Sequence, residues 1–160
     1  MHVRLCGTVA LGIATALCGH AIAAEQSITP LAATDCQTIA TTIGQAAGIA
    51  LTTKVGAPEF PNGLRGNACL MSGHATGLKA EFDDVRKKLN AALAGWAPVS
   101  DYDADGPAST ITGFAKAAQR VVYSLETEPP RGTCENVPLA ACKMPRQRWD
   151  WSLKVVGFSQ

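Results

Sequence analysis

Four cysteines lying downstream of an export-type leader constrain this 160-residue chain more than any other feature. Arg4 supplies a positive charge, Leu5 to Leu17 form an apolar run, and Ala21-Ile22-Ala23 is a small-residue cleavage signal. That succession reads as a secretory signal peptide over residues 1–23, cut after Ala23. The apolar run is too short for a bilayer, which takes about 20 residues, so a retained anchor is the weaker reading. A lipid anchor on Cys18 is weaker still, because bulky Leu17 stands where a lipoprotein signal favours a small side chain. No later stretch reaches spanning length, so the mature chain is expected to lack a membrane span and to be periplasmic or secreted.

In an oxidising compartment the even cysteine count acquires structural meaning. Cys6 and Cys18 depart with the leader, leaving Cys36, Cys69, Cys134 and Cys142. Four cysteines allow three pairings. The short Pro138-containing loop between Cys134 and Cys142 favours joining those two, which leaves Cys36 to meet Cys69. No C-x-x-C spacing occurs, and His74 is the one histidine of the mature chain, so structural bridges are favoured over a metal or redox site.

Charge excludes one class of partner. The chain has 14 Lys and Arg against 13 Asp and Glu, and loss of Arg4 leaves 13 of each, a balance without the basic footprint that nucleic-acid binding requires.

Hydrophobic periodicity predicts a single α+β domain over 35–160, preceded by a flexible lead-in at 24–34. Thr34 and Gln37 suggest a capping box, and Cys36, Ile39, Ile43, Ala47 and Ala50 predict a helix from Asp35 to Ala50. Leu51–Val55 is β-rich, Asn62-Gly63 suits a tight hairpin turn, and Ala68–Ser72 is the returning strand. A stripe of Leu78, Phe82, Val85, Leu89, Leu93 and Trp96 predicts a helix over Leu78–Ala94, stopped by Gly95. Val99–Gly106 reads as a turn-rich loop. Ser109–Thr127 fits either period, and its β-branched residues favour strand, turn and strand, with Lys116–Gln119 at the turn. Trp149, Trp151, Leu153 and Val155 alternate with polar neighbours, as a half-buried strand does. The expected architecture is two helices packed on an antiparallel sheet of about four or five strands, stapled by disulfides.

Four groups of residues are candidates for chemistry. Asp101, Asp103 and Asp105 followed by Gly106 resemble the first half of a calcium loop, but Thr112 occupies the position of the bidentate carboxylate. A plain acidic turn is the favoured explanation, because Asp bonds its own backbone. His74 with Ser72 on one strand face suggests a base and a nucleophile, yet catalysis also needs contact between them and a third, orienting group. Asp83-Asp84 could in principle act as paired carboxylates in glycosidic chemistry, but they sit in a solvated helix face. Arg146, Arg148, Trp149 and Trp151 combine the residue types that dominate binding hot spots, although alternating tryptophans commonly pack inward.

The expectation is therefore an exported, non-catalytic domain that binds a protein or envelope component, an inhibitor or immunity-type protein being one version. A small secreted hydrolase using His74 or the Asp101/Asp103/Asp105 loop is one alternative. A calcium-stabilised binding module is the other, and the leading reading requires no cofactor.

Overall fold

The computed structural model describes residues 26–160, so the leader and its cleavage site lie outside the described residues. In chain order the elements are β1 (Gln26–Pro30), α1 (Ala33–Ala47), β2 (Thr52–Gly56), β3 (Leu64–Gly66), β4 (Ala68–Thr76), α2 (Phe82–Ala92), β5 (Ala97–Gly106), β6 (Ser109–Lys116), β7 (Gln119–Glu128) and β8 (Asp150–Ser159). Two short 3-10 turns, Leu139–Ala141 and Arg146–Arg148, precede β8. Among the described residues the fold is α+β with two helices and two disulfides, as expected, but its sheet has eight strands rather than four or five.

The main path runs β2-β4-β8-β7-β6-β5 with every pairing antiparallel. β1 pairs with β3 in parallel and with the end of β8. The extra strands come from segments whose sequence resembles loop. Residues 26–30, expected in a flexible lead-in, form β1 because Ile28 and the following Leu31 bury their side chains. The acidic stretch expected as a loop is β5, whose register shifts between Val99 and Ala104. Tyr102, in that irregular segment, turns onto the sheet and meets Phe158 edge-on at 6.4 Å. Gly113 makes this approach possible, since a Cβ there would lie 2.6 Å from the Tyr102 ring.

Both helices pack on one face. Ile39, Ile43 and Ala47 of α1, and Val85 and Leu89 of α2, share a core with Cys69 and Met71 of β4, Val121, Tyr123 and Leu125 of β7, and Trp151, Leu153 and Val155 of β8. Each large aliphatic side chain so buried stabilises by about 1.5–3 kcal/mol. α1 starts two residues early on an Ala32 cap, so the Thr34 and Gln37 capping box does not form; Thr34 instead accepts a bond at its carbonyl from Thr38. It ends at Ala47, not Ala50, because Gly48 takes the left-handed conformation at φ 72° and closes the helix. α2 begins only at Phe82, whose ring stacks on Trp151 at 6.3 Å, and it ends at Ala92, short of Gly95.

The β6–β7 hairpin matches the sequence reading, with Lys116 opposite Gln119 across its turn. β2 and β4 also pair, Thr52 opposite Ser72 and Gly56 opposite Ala68. Asn62-Gly63 is not their tight connection, because it lies within the longer excursion at 57–67 and leads into β3.

A second, smaller cluster covers part of the opposite face. It joins Ala68, Val122, Val156 and Phe158 of the sheet to Ile28 of β1, with Phe60, Leu64, Leu70, Tyr102 and Ile111 packed around them.

Cys36 bonds Cys69, tying the first turn of α1 to β4 with Cα atoms 6.0 Å apart. Cys134 bonds Cys142 across the loop before β8, at 5.5 Å. Their sequence separations are 33 and 8 residues. Loop closure in the unfolded chain therefore makes the first bridge worth about 3.7 kcal/mol and the second about 2.5 kcal/mol. Denaturant titration of the paired alanine variants is expected to show the larger loss for Cys36→Ala with Cys69→Ala, and the reverse order would contradict this account.

Tyr123 offers an independent check on the inner core. Burial pushes its phenol above the ordinary tyrosine range, and its hydroxyl donates to Asn90 Oδ1 at 2.6 Å. The neutral form is the one the fold retains. That contribution is fully present below the ordinary pKa of about 10 and is lost as pH rises through the higher folded value. In a Tyr102→Phe variant, ultraviolet absorbance is expected to show the remaining phenol ionising at higher pH in native protein than in denaturant; coincident curves would refute a buried Tyr123.

Candidate functional site

The face opposite the helices divides into a covered half and an open half. Beyond the second cluster, three transverse rows of polar side chains face outward from neighbouring strands. In the first, Ser72 lies opposite Lys154, which lies opposite Ser124. In the second, His74 lies opposite Ser152, and Ser152 opposite Glu126. The third sets Thr76 opposite Asp150, and Asp150 opposite Glu128, with the Thr76 hydroxyl donating to Asp150 Oδ1 at 2.7 Å. Period-2 alternation produces the rows, because residues flanking the inward Met71, Leu153 and Leu125 must point the other way. Ser72, His74, Thr76, Lys154, Glu126 and Glu128 are exposed.

Where the open rows meet the covered cluster, the sheet holds a cleft of about 160 Å³. Leu70 and Val156 form its floor, while Ala57 and Phe60 form a wall. Lys54, Lys154, Ser72 and Glu59 supply its polar rim. Neither lysine has an ion-pair partner among the described residues. The cleft is thus apolar below and cationic at its margin, a combination suited to an amphipathic, acidic group.

The sequence-derived candidates fall in different places. His74 and Ser72 do share the open face, but no hydrogen bond joins the imidazole to any hydroxyl or carboxylate among the described residues. The cleft lining does not include His74. Base and nucleophile are thus neighbours without the contact that general-base activation uses.

Asp101, Asp103 and Asp105 lie along β5 rather than around a loop. Alternate residues on a strand stand about 6.6 Å apart, too far for three carboxylates to converge on one ion. Each of the two nearer β6 is engaged locally: Asp105 Oδ1 accepts from Thr110 at 2.6 Å and from Arg86 at 3.4 Å, and Asp103 Oδ1 accepts from the Gly113 amide at 3.4 Å. Among the described residues no group of three or more His, Cys, Asp or Glu side chains is arranged to hold a metal.

The aromatic part of the Arg146, Arg148, Trp149 and Trp151 candidate is buried, the inward packing that strand alternation commonly gives. Trp149 is 1% and Trp151 3% exposed. The strand period that the sequence displays turns Trp151 toward α2, and Trp149 closes the base of the disulfide loop by donating from Nε1 to the Met144 carbonyl at 3.1 Å. Arg146 lies over the Trp149 ring, 3.8 Å from its centroid. Arg146 and Arg148 are exposed on the 3-10 turn.

Sequence reasoning missed Lys54, Phe60, Leu70 and Lys154. Lys54 and Lys154 reach one cleft only through the pairing of β2 with β4 and of β4 with β8. A signal existed in each case, a lone cation within an otherwise β-prone run, but local periodicity does not say which strands become neighbours.

No family model, curated protein or solved structure matches the chain.

The two tryptophans differ in a measurable way. Among the described residues Trp151 Nε1 is buried without a hydrogen-bond partner, whereas the Trp149 donor is satisfied. Phenylalanine at 151 removes an orphaned donor, while phenylalanine at 149 strands the Met144 carbonyl. Urea unfolding is expected to find Trp151→Phe milder than Trp149→Phe by about 1 kcal/mol. Equal losses would count against the two environments described.

Proposed function

We propose that this chain is an exported, disulfide-stapled domain that recognises a protein or envelope component without catalysing a reaction, using the open half of the outer sheet face and its cleft. The single observation that carries the reading is the cleft itself: an apolar floor flanked by Lys54 and Lys154, neither neutralised within the described residues, on paired strands. Ordered strands hold such side chains in place before a partner arrives, which lowers the entropy lost on binding. The leader-like N-terminus and the two bridges support a periplasmic or secreted setting, since disulfides persist in oxidising compartments. Among the described residues no helix is long and apolar enough to cross a membrane. An inhibitor or immunity-type role is the concrete version of this proposal, because those proteins bind a partner enzyme by surface complementarity alone.

The hydrolase reading has less support, as no hydrogen bond joins His74 to either neighbouring serine. The calcium reading has less still, as β5 spreads its aspartates along a strand.

Mass spectrometry of the chain purified from its native source is expected to show a polypeptide starting at Ala24 with no titratable thiol. Affinity capture with that form is expected to yield a stoichiometric partner that a Lys154→Glu, Ser72→Arg double variant fails to hold. An intact Met1 with free thiols would contradict the export reading, and a partner retained by the double variant would contradict the surface.

A further inference from the structure

We propose that β2 is an acceptor edge, at which an extended segment of a protein partner, carrying alternating acidic and apolar side chains, adds as a further strand beside Thr52–Gly56. This rests on the recognition reading and names the chemistry of the partner.

The two ends of the sheet differ. β5, at one end, carries three devices that discourage strand addition: Pro98, a register break between Val99 and Ala104, and the outward charges of Asp101, Asp103 and Asp105. β2, at the other end, carries none of these except the single charge of Lys54. Among the described residues it pairs with β4 alone, and Thr52 through Val55 are exposed. Val55 is 62% exposed, one of two large hydrophobic side chains so exposed among the described residues. An edge with free backbone donors and acceptors and an uncovered apolar side chain is the arrangement that peptide strand addition uses.

Register assigns each side of the incoming strand. Val55 lies opposite Cys69 and Thr53 opposite Met71, both on the helix side of the sheet. Lys54 lies opposite Leu70, on the cleft side. A neighbouring strand sets its side chains about 4.5–5.5 Å from those of β2. An apolar residue would therefore cover Val55, and the residue beside it in sequence would face Lys54. At the cleft, Lys54 and Lys154 outnumber Glu59, and an acidic side chain supplies the missing counter-charge.

The same charge argues against a second copy of this chain. Symmetric antiparallel pairing of two β2 strands keeps each face with its equivalent, so the central residue meets its own counterpart. Centring on Lys54 sets two ammonium groups face to face, which is destabilising. Centring on Thr53 or on Val55 sets Lys54 opposite Thr52 or Gly56, neither of which offers a counter-charge.

The test uses an eight-residue peptide alternating Val and Glu, methylated on every second amide so that it presents one pairing edge, and a matched peptide with Lys for Glu. With the isotope-labelled mature chain, the Val/Glu peptide is expected to slow hydrogen exchange at amides within Thr52–Gly56. The Val/Lys peptide is expected to bind about fivefold to tenfold more weakly. Lys54→Glu, a surface charge reversal, is expected to invert that preference, and Val55→Pro to abolish binding of both. Perturbation away from β2, an unchanged preference in Lys54→Glu, or no binding of either peptide would overturn the proposal. So would a β2-mediated dimer in sedimentation. If a captured natural partner binds Lys54→Glu and the parent chain equally, recognition stands and strand addition falls.

Discussion

β8 is the strand on which the rest of the structure depends. It pairs with β4 on one side and with β7 on the other, and its two faces serve different cores. Trp151, Leu153 and Val155 pack beneath the helices, while Val156 and Phe158 anchor the smaller cluster. A strand formed from the last residues of the chain therefore joins two halves that precede it, β2 and β4 to one side and β5, β6 and β7 to the other. Pairings between distant parts of a chain carry a loop-closure cost before any contact offsets it. The Cys36–Cys69 bridge restricts one of those halves covalently by fastening α1 to β4, the strand on which β8 docks.

That arrangement also determines what is left for recognition. The helices occupy one face. The other is covered near β1 and β3 and left open toward Thr76 and Asp150, so one sheet presents an apolar floor and a polar field side by side. Charge divides along it: Asp150, Glu126 and Glu128 lie at the far rows, and Lys54 and Lys154 flank the cleft. A chain whose formal charge nearly cancels, 14 basic against 13 acidic groups, thus has a surface that is locally far from neutral, which favours selectivity between partners over indiscriminate attraction.

The parts legible in the sequence were those in which local pattern and tertiary environment agree. The alternation at Trp149–Val155 and the β-branched run around Val121 encode strands because half-burial needs that period. Both cysteine pairs followed from the short Cys134–Cys142 loop. β1 and β5 were not legible for opposite reasons. β1 has a proline end and one dominant apolar side chain, and acquires order from β3 and β8, which lie far away in sequence. β5 has the composition of a turn, Asp-Tyr-Asp-Ala-Asp-Gly, and is a strand because β6 supplies a ladder while the aspartates face solvent or bond to β6. For the tryptophans beside Arg146 and Arg148, residue type suggested a hot spot and strand alternation an inward position, because residue type alone does not report direction. The cleft was hidden for a further reason: its floor and rim come from separate strands whose adjacency is a property of topology.

Among the described residues β8 thus holds a sheet sealed by helices and by β5's irregular border, and unsealed along β2. Residue-resolved hydrogen exchange on the isolated, oxidised mature chain tests it most directly. The amides of β8, with those of β4 and β7 bonded to it, are expected to exchange slowest, and the outward amides of β2 to exchange as freely as those of a loop. Amides of β2 protected to the level of β8 in the monomer would contradict it.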